Sequence, residues 1–205
     1  ARGIIHNPVR PHQPRKSLSA ETTFEDDRAL AEPELHGMGT TLCGLFIHGE
    51  RAHVVHVGDS RCYLFRQGVA RQLTSDHSWL NEQVQAGLLT PEEAELSDLK
   101  HIITRSVGFE REVHADLIAT ALMPGDAFLL CSDGMCNYIE LDELEELART
   151  HYYSELPQVC TQLALDRGGE DNITVVVILV ANEADVRRKP GQKAVRDIGD
   201  TLPPT

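Results

Sequence analysis

Between residues 41 and 72 apolar and polar positions alternate in short runs, and glycines divide the runs. "TTLCGLFIHGERAHVVHVG" predicts two strands joined at His48-Gly49-Glu50-Arg51. "RCYLFRQGVARQL" predicts two more joined at Gln67-Gly68, each turn carrying the glycine that hairpins favour. Read continuously, these four form an antiparallel meander with Gly58-Asp59-Ser60 at its centre. At "SDHSWLNEQVQAGLL" the period becomes helical, with Leu80, Val84 and Leu88 on one face, Asp76 or Ser78 as the cap and Gly87 as the stop. "TPEEAEL" opens a second short helix, with Thr90, Pro91 and Glu93 in capping-box order. Polar residues then run to Lys100 as an exposed loop.

"HADLIATALMPGDAFLLCSDG" predicts two strands around a Pro124-Gly125-Asp126 turn, the second ending at Ser132-Asp133-Gly134. "LDELEELART" begins a helix at Asp142 with Glu145 at its third position. "LPQVCTQLALDRGG" places Leu156, Val159, Cys160 and Leu163 on one helical face and closes on Gly168-Gly169. "NITVVVILV" is apolar at seven of its nine positions and predicts a buried strand. Strands, helices, strands, helices and a final strand make an α+β protein of layered sheet and helix.

The periodic region runs from 37 to 180 without an internal repeat. Residues 1–36, rich in proline and in both signs of charge, read as a linker or disordered tail, and residues 181–205 as a Pro- and charge-rich C-terminal tail. A chain of 205 residues can bury one sizeable core. Its 19 basic against 32 acidic residues, a net charge of −13, argue against a nucleic-acid partner and leave divalent cations as one use of the acid. Cys43, Cys62, Cys131, Cys136 and Cys160 form no C-x-x-C pair and are odd in number, so they read as buried free thiols in a reducing compartment. Without a long apolar stretch or an apolar leader, the expected location is the cytoplasm, with no membrane partner.

Three aspartates share one kind of place: Asp59 after the strand ending at Val57, Asp133 after the strand ending near Cys131, and Asp171 before the strand from Ile173. Taken singly each is a turn residue. If the corners converge at one end of a sheet, the carboxylates repel unless a cation holds them. All-oxygen donors select Mg²⁺ or Mn²⁺, and the chemistry such a site supports is hydrolysis of phosphate esters by a metal-activated water. Other signals have plainer readings. His53 and His56 fall on opposite strand faces, Asp76-His77-Ser78 suits a helix cap better than a triad, and Arg61 reads as an ion-pair partner. Trp79 and Tyr152-Tyr153 read as packing.

"GMGTT" (37–41), "VGDSRCYLFRQG" (57–68), "LTSDHS" (73–78), "GLLTPEEA" (87–94), "TRSVG" (104–108), "LLCSDG" (129–134) and "GGEDNITVVVILV" (168–180) occur in the order seen in one family. The chain resembles the metal-dependent protein phosphatases (PPM, type 2C), most closely the bacterial branch. The resemblance implies a β-sandwich flanked by helices, two or three Mn²⁺ or Mg²⁺ ions in a complete domain, and hydrolysis of phosphoserine and phosphothreonine in substrates of a serine/threonine kinase. Carried over by motif, Asp133 and Asp171 are ligands of the two-metal centre. Asp59 belongs to an additional site sharing Asp133, and residues from about Glu95 to Arg105 form a flap beside the substrate groove.

The family's N-terminal motifs are missing from these 205 residues: strands with a phosphate-binding Arg, an Asn-Glu-Asp, and an Asp-Gly-Met-Gly-Gly whose Asp bridges the metals. "FEDD" (24–27) is acidic only, with Phe24 where the Asn belongs and no strand pattern around it. His36 before "GMGTT" does not replace the bridging Asp, because its downstream strand and its distance to Asp59 fit the later Gly-Met-Gly-Thr-Thr motif. The chain therefore reads as part of a longer polypeptide, a deleted variant or one piece of a divided domain, with little or no turnover alone. The alternative is a non-catalytic relative that binds phosphoproteins or other partners.

Overall fold

A computed structural model describes residues 23–25 and 37–181, except 98, 100, 101 and 111. The two tails otherwise lie outside the described residues. β2 (Leu42–His48) and β3 (Arg51–Val57) pair antiparallel across Gly49-Glu50, with Gly49 at φ +57°. β4 (Arg61–Arg66) and β5 (Val69–Gln72) pair across Gln67-Gly68. Both turn residues there have positive φ, 52° and 79°, the combination whose twist matches the flanking strands.

The two hairpins do not continue into a meander, which corrects the sequence reading. β3 takes β7 (Asp116–Ala121) as its other neighbour, and β4 takes β8 (Ala127–Cys131). The sheets are therefore β2-β3-β7 and β5-β4-β8-β9, the last strand being Val175–Leu179. The chain crosses between layers at Gly58-Asp59-Ser60, where Gly58 at φ +106° turns it away from β3. A third pair, β1 (Thr23–Glu25) with β6 (Glu112–His114), places a strand at "FEDD", where the sequence shows no strand pattern.

Period-2 alternation along the central strands builds two cores. Cys62 and Leu64 of β4 and Phe128 of β8 face Ala52 and Val54 of β3 between the sheets. Their neighbours Tyr63, Phe65, Leu129 and Cys131 face the helices. Fully burying a side chain such as Phe128 or Leu129 contributes roughly 2 kcal/mol, and β4 and β8 supply such residues to both cores. The α+β reading, an antiparallel sandwich flanked by helices, is borne out.

The helices among the described residues are α1 (Trp79–Gln85), α2 (Pro91–Glu95), α3 (Asp133–Cys136), α4 (Leu141–Thr150) and α5 (Leu156–Asp166). Ser78 caps α1 by accepting from the Asn81 N–H, and Thr90 and Glu93 form a reciprocal capping box on α2. Leu88, placed by periodicity on the α1 face, lies beyond the helix and is exposed. α4 starts one residue before the predicted Asp142, and Glu145 does not cap it. That carboxylate instead accepts from Ala70 N–H of edge strand β5 (2.7 Å) and pairs with Arg149. α5 buries Leu156, Cys160 and Ala164 along one stripe.

β9 corrects a second expectation. "VVVIL" has the composition of a strand covered on both faces, yet Val176 and Leu179 are 47% and 44% exposed. β9 is the outer strand of its sheet among the described residues, with β8 on one side and nothing on the other.

Asp126, 1% exposed, holds the β7–β8 turn: it accepts from Arg66 Nε and Nη2 (2.8 and 2.7 Å) and from Met123 N–H (2.8 Å). Removing Arg66 strands a buried carboxylate, so Arg66→Ala is expected to cost about 3 kcal/mol. Urea denaturation checks this; a loss no larger than that of an exposed ion pair would refute it. The five cysteines are free, four of them buried, and burial pushes the Cys160 thiol up to about 11. Among the described residues no helix is long and apolar enough to cross a membrane.

Candidate metal and active site

The layer crossing that begins at Val57 delivers Asp59 to one end of the sandwich, and the end of β8 delivers Asp133 to the same place. Both line a cleft of about 350 Å³ with Arg61, Asp76, Asn81, Pro91 and Cys136. The Asp59 carboxyl is held above the usual carboxylate range, first by burial and then by the negative charge of Asp133. A cation shared by the two would relieve that repulsion, so their donor chemistry fits Mg²⁺ or Mn²⁺.

Asp171 reaches this region through backbone packing. Ser132 N–H donates to Thr174 O (3.1 Å), Ser132 Oγ to Asn172 O (2.9 Å), and Thr174 N–H to Ser132 Oγ (2.9 Å). These bonds press the Asp171-Asn172 backbone onto Gly134, where a Cβ would sit 2.6 Å from Asn172 O. Asp133 Oδ1 accepts from Gly134 N–H and Asp171 Oδ1 from Asn172 N–H, each carboxylate using one oxygen locally. Asp59 and Asp133 thus share the cleft, and Asp171 stands exposed beside Gly134. The three carboxylates do not close into a tight cluster.

Arg61 grips Asp76 from Nε (3.0 and 3.1 Å) and Nη2 (2.7 Å), the ion pair expected of it, and forms part of the cleft wall. The candidate flap is tied down at its far end, where Trp79 N–H donates to Ile102 O and Thr104 N–H to His77 O. Pro91 and Ala94 of α2 line the cleft from the near side.

Sequence reasoning took His77 only as part of a helix cap. It is 4% exposed and makes two hydrogen bonds to the corner: its backbone N–H donates to Gly58 O (2.8 Å) and its ring Nδ1 accepts from Gly58 N–H (3.1 Å). Its position next to a helix cap masked it, because capping accounted for the motif. His53 and His56 point to opposite faces of β3, as strand geometry requires. His56 is fully buried, with its ring 4.8 Å from that of His77.

Residues 12–83 match the family model described as Protein phosphatase 2C, a match that begins inside the segment read as a tail. In sequence and in fold the chain is similar to protein phosphatases of type 2C, and among them to bacterial serine/threonine phosphatases. The Serine/threonine phosphatase stp of Listeria monocytogenes is 38% identical over 162 residues, covering 78% of this chain and 63% of that protein. Protein phosphatase PhpP of Streptococcus pneumoniae is 43% identical over 150 residues, 73% of this chain and 61% of its own. The crystal structure of the Mycobacterium tuberculosis serine/threonine phosphatase PstP/Ppp superposes with a TM-score of 0.71 at 37% identity, over 75% of this chain and 65% of that one. A structure of the PstP catalytic domain in complex with two manganese ions matches with a TM-score of 0.67 at 38% identity, over 75% of this chain and 64% of that one. The chain spans a little under two thirds of the length of these relatives.

Proposed function

We propose that this chain forms the larger part of a cytoplasmic protein serine/threonine phosphatase that hydrolyses phosphoserine and phosphothreonine in proteins modified by a kinase. Asp59 and Asp133 would hold Mn²⁺ or Mg²⁺ in the cleft, with Asp171 completing the set from beside Gly134. When bound, the metal would supply Lewis acidity and lower the pKa of its water, making hydroxide available as the nucleophile for phosphorus at neutral pH. The chain's own residues place the carboxylates and wall the cleft, through Arg61–Asp76 on one side and α2 on the other. The observation that carries this reading is that Asp59 and Asp133 share one cleft, in which burial and then the charge of Asp133 disfavour ionisation of Asp59.

A second reading, a non-catalytic module that binds phosphoproteins or other partners, is favoured by the open arrangement of the three carboxylates. It is also favoured by the absence from these 205 residues of an Asn-Glu-Asp and an Asp-Gly-Met-Gly-Gly. Longer relatives have more chain with which to complete a metal cluster and to cover β9. Incubating the 205-residue chain with Mn²⁺ and a phosphothreonine peptide is expected to release little or no phosphate. Robust release that Asp133→Asn abolishes would show that this chain suffices by itself.

A further inference from the structure

Gly58, the residue ahead of Asp59, is held by hydrogen bonds on both sides from a single residue, His77, which the proposed metal chemistry leaves unused. We propose that His77 is a positioning residue for the Asp59 carboxylate, acting through the Gly58 backbone, a role that rests on the reading of Asp59 as a metal ligand.

Glycine has the widest backbone freedom of any residue, and Gly58 uses it: its φ of +106° turns the chain from β3 toward the cleft. The same freedom is a cost ahead of a ligand, because any drift in the Gly58 dihedrals swings the Asp59 side chain. Two bonds remove it. The Gly58 N–H, in the peptide ahead of φ, donates to His77 Nδ1 (3.1 Å), and the Gly58 carbonyl, in the peptide after ψ, accepts from the His77 backbone N–H (2.8 Å). Both peptide planes that flank Gly58 are thereby tied to one residue nineteen positions further on. On the other side of Asp59, Ser60 Oγ lies 2.8 Å from Thr41 Oγ1. Asp59 thus extends from between two anchored neighbours into the cleft it shares with Asp133.

His77 is itself fixed for this task. It is 4% exposed, its carbonyl accepts from Thr104 N–H (2.8 Å), and the next residue, Ser78, caps α1. A neutral imidazole that accepts at Nδ1 carries its proton on Nε2, and Asp116 Oδ2 lies 3.2 Å from Nε2 to take that hydrogen bond. Arg105 Nη1 stands 3.2 Å from the same ring nitrogen and 3.3 Å from Asp116 Oδ1, and its charge holds the carboxylate there. The ring has no nitrogen left for an ion, so what it does for the cleft it does through Gly58.

Two amide side chains separate the work of the two nitrogens. Asn brings its oxygen to the Nδ1 position, where it can accept from Gly58 N–H, but it does not reach Asp116. Gln extends its amide to the Nε2 position and keeps a donor for Asp116, but it has no acceptor where Nδ1 stands. Each loses one partner of the ring and much of its packing, so a merely structural role for His77 predicts similar consequences in both. Positioning through Gly58 predicts that only Asn preserves the metal site.

The test measures Mn²⁺ affinity of the 205-residue chain from the loss of the free-ion electron paramagnetic resonance signal, with urea midpoints alongside. His77→Gln is expected to weaken binding about tenfold or more, as loss of a group that orients a metal ligand does, and His77→Asn to stay within about threefold of the unaltered chain. In an Asp59→Asn background His77→Gln should add little, since its effect passes through Asp59. Equal affinities of the Gln and Asn variants, or a full further loss on top of Asp59→Asn, would overturn the role of His77 and leave the metal reading standing. Unchanged affinity in Asp59→Asn would overturn both. If the Gln variant does not fold, His77→Asn decides alone: retained affinity despite the lost Asp116 contact supports the role, and a tenfold loss with the Nδ1 acceptor replaced overturns it.

Discussion

Gly58→Ala is expected to remove about 3 kcal/mol or more of stability, whereas Gly44→Ala is expected to be neutral or slightly stabilising. Gly58 carries two independent penalties. Its φ of +106° is one that a residue with a Cβ adopts only under strain, and an added Cβ would lie 2.4 Å from Thr41 Cγ2 and 2.7 Å from Thr41 Cβ. Gly44, in β2, has nothing within 4 Å of its would-be Cβ and no positive φ. Against a total stability of some 5–15 kcal/mol, the Gly58 loss decides whether the chain stays folded on warming. Thr41→Ser in the Gly58→Ala background removes the methyl that clashes and keeps a hydroxyl for Ser60, now 2.8 Å from Thr41 Oγ1. It should therefore restore part of the loss, and the remainder measures the backbone strain. Urea midpoints of the four proteins check this, and equal stability of Gly58→Ala and Gly44→Ala would refute it.

The same corner shows what the sequence made legible and what it did not. Apolar runs of strand-forming residues bounded by turn residues mark "LCGLFIH", "RAHVVHV", "RCYLFR" and "AFLLC" as strands, and all four form where that pattern places them. Which strand each one pairs with is not a local property. The break at Gly58-Asp59-Ser60 looks like any turn, and only β7 and β8, more than fifty residues on, reveal that it passes between sheets. β9 misled for the same reason: its composition reports the burial the strand is suited to, and its exposure reports what lies beside it here. His77 was read only as part of a helix cap because its partners, Gly58, Arg105 and Asp116, are scattered along the chain, and no spacing rule joins them. The three carboxylates stand out in the sequence because each ends or begins a strand, where a short side chain with no packing role recurs in a family order.

Gly134→Ala is expected to lower Mn²⁺ affinity at the cleft by about tenfold or more, at a stability cost of roughly 1–3 kcal/mol. Gly134 lies in α3, where its φ is not positive and where alanine is the better helix former. Propensity alone therefore predicts a gain. Sterics point the other way, because the new Cβ meets backbone, Asn172 O at 2.6 Å and Asn172 C at 3.0 Å, rather than a side chain that can rotate aside. Relief requires the Asp171-Asn172 segment to move off α3, stretching the Ser132 bonds to Asn172 and Thr174. That movement carries Asp171 away from Asp133 while leaving both carboxylates in the chain. A Mn²⁺ titration followed by the loss of the free-ion electron paramagnetic resonance signal reads the effect directly, without requiring turnover. If Asp171 contributes to the site, Asp171→Asn should weaken binding as well, and combining it with Gly134→Ala should add little, since both remove the same ligand. Full additivity of the two, or unchanged affinity in Gly134→Ala, would refute the coupling of Gly134 to Asp171, and unchanged affinity in Asp171→Asn would leave the cation resting on Asp59 and Asp133 alone.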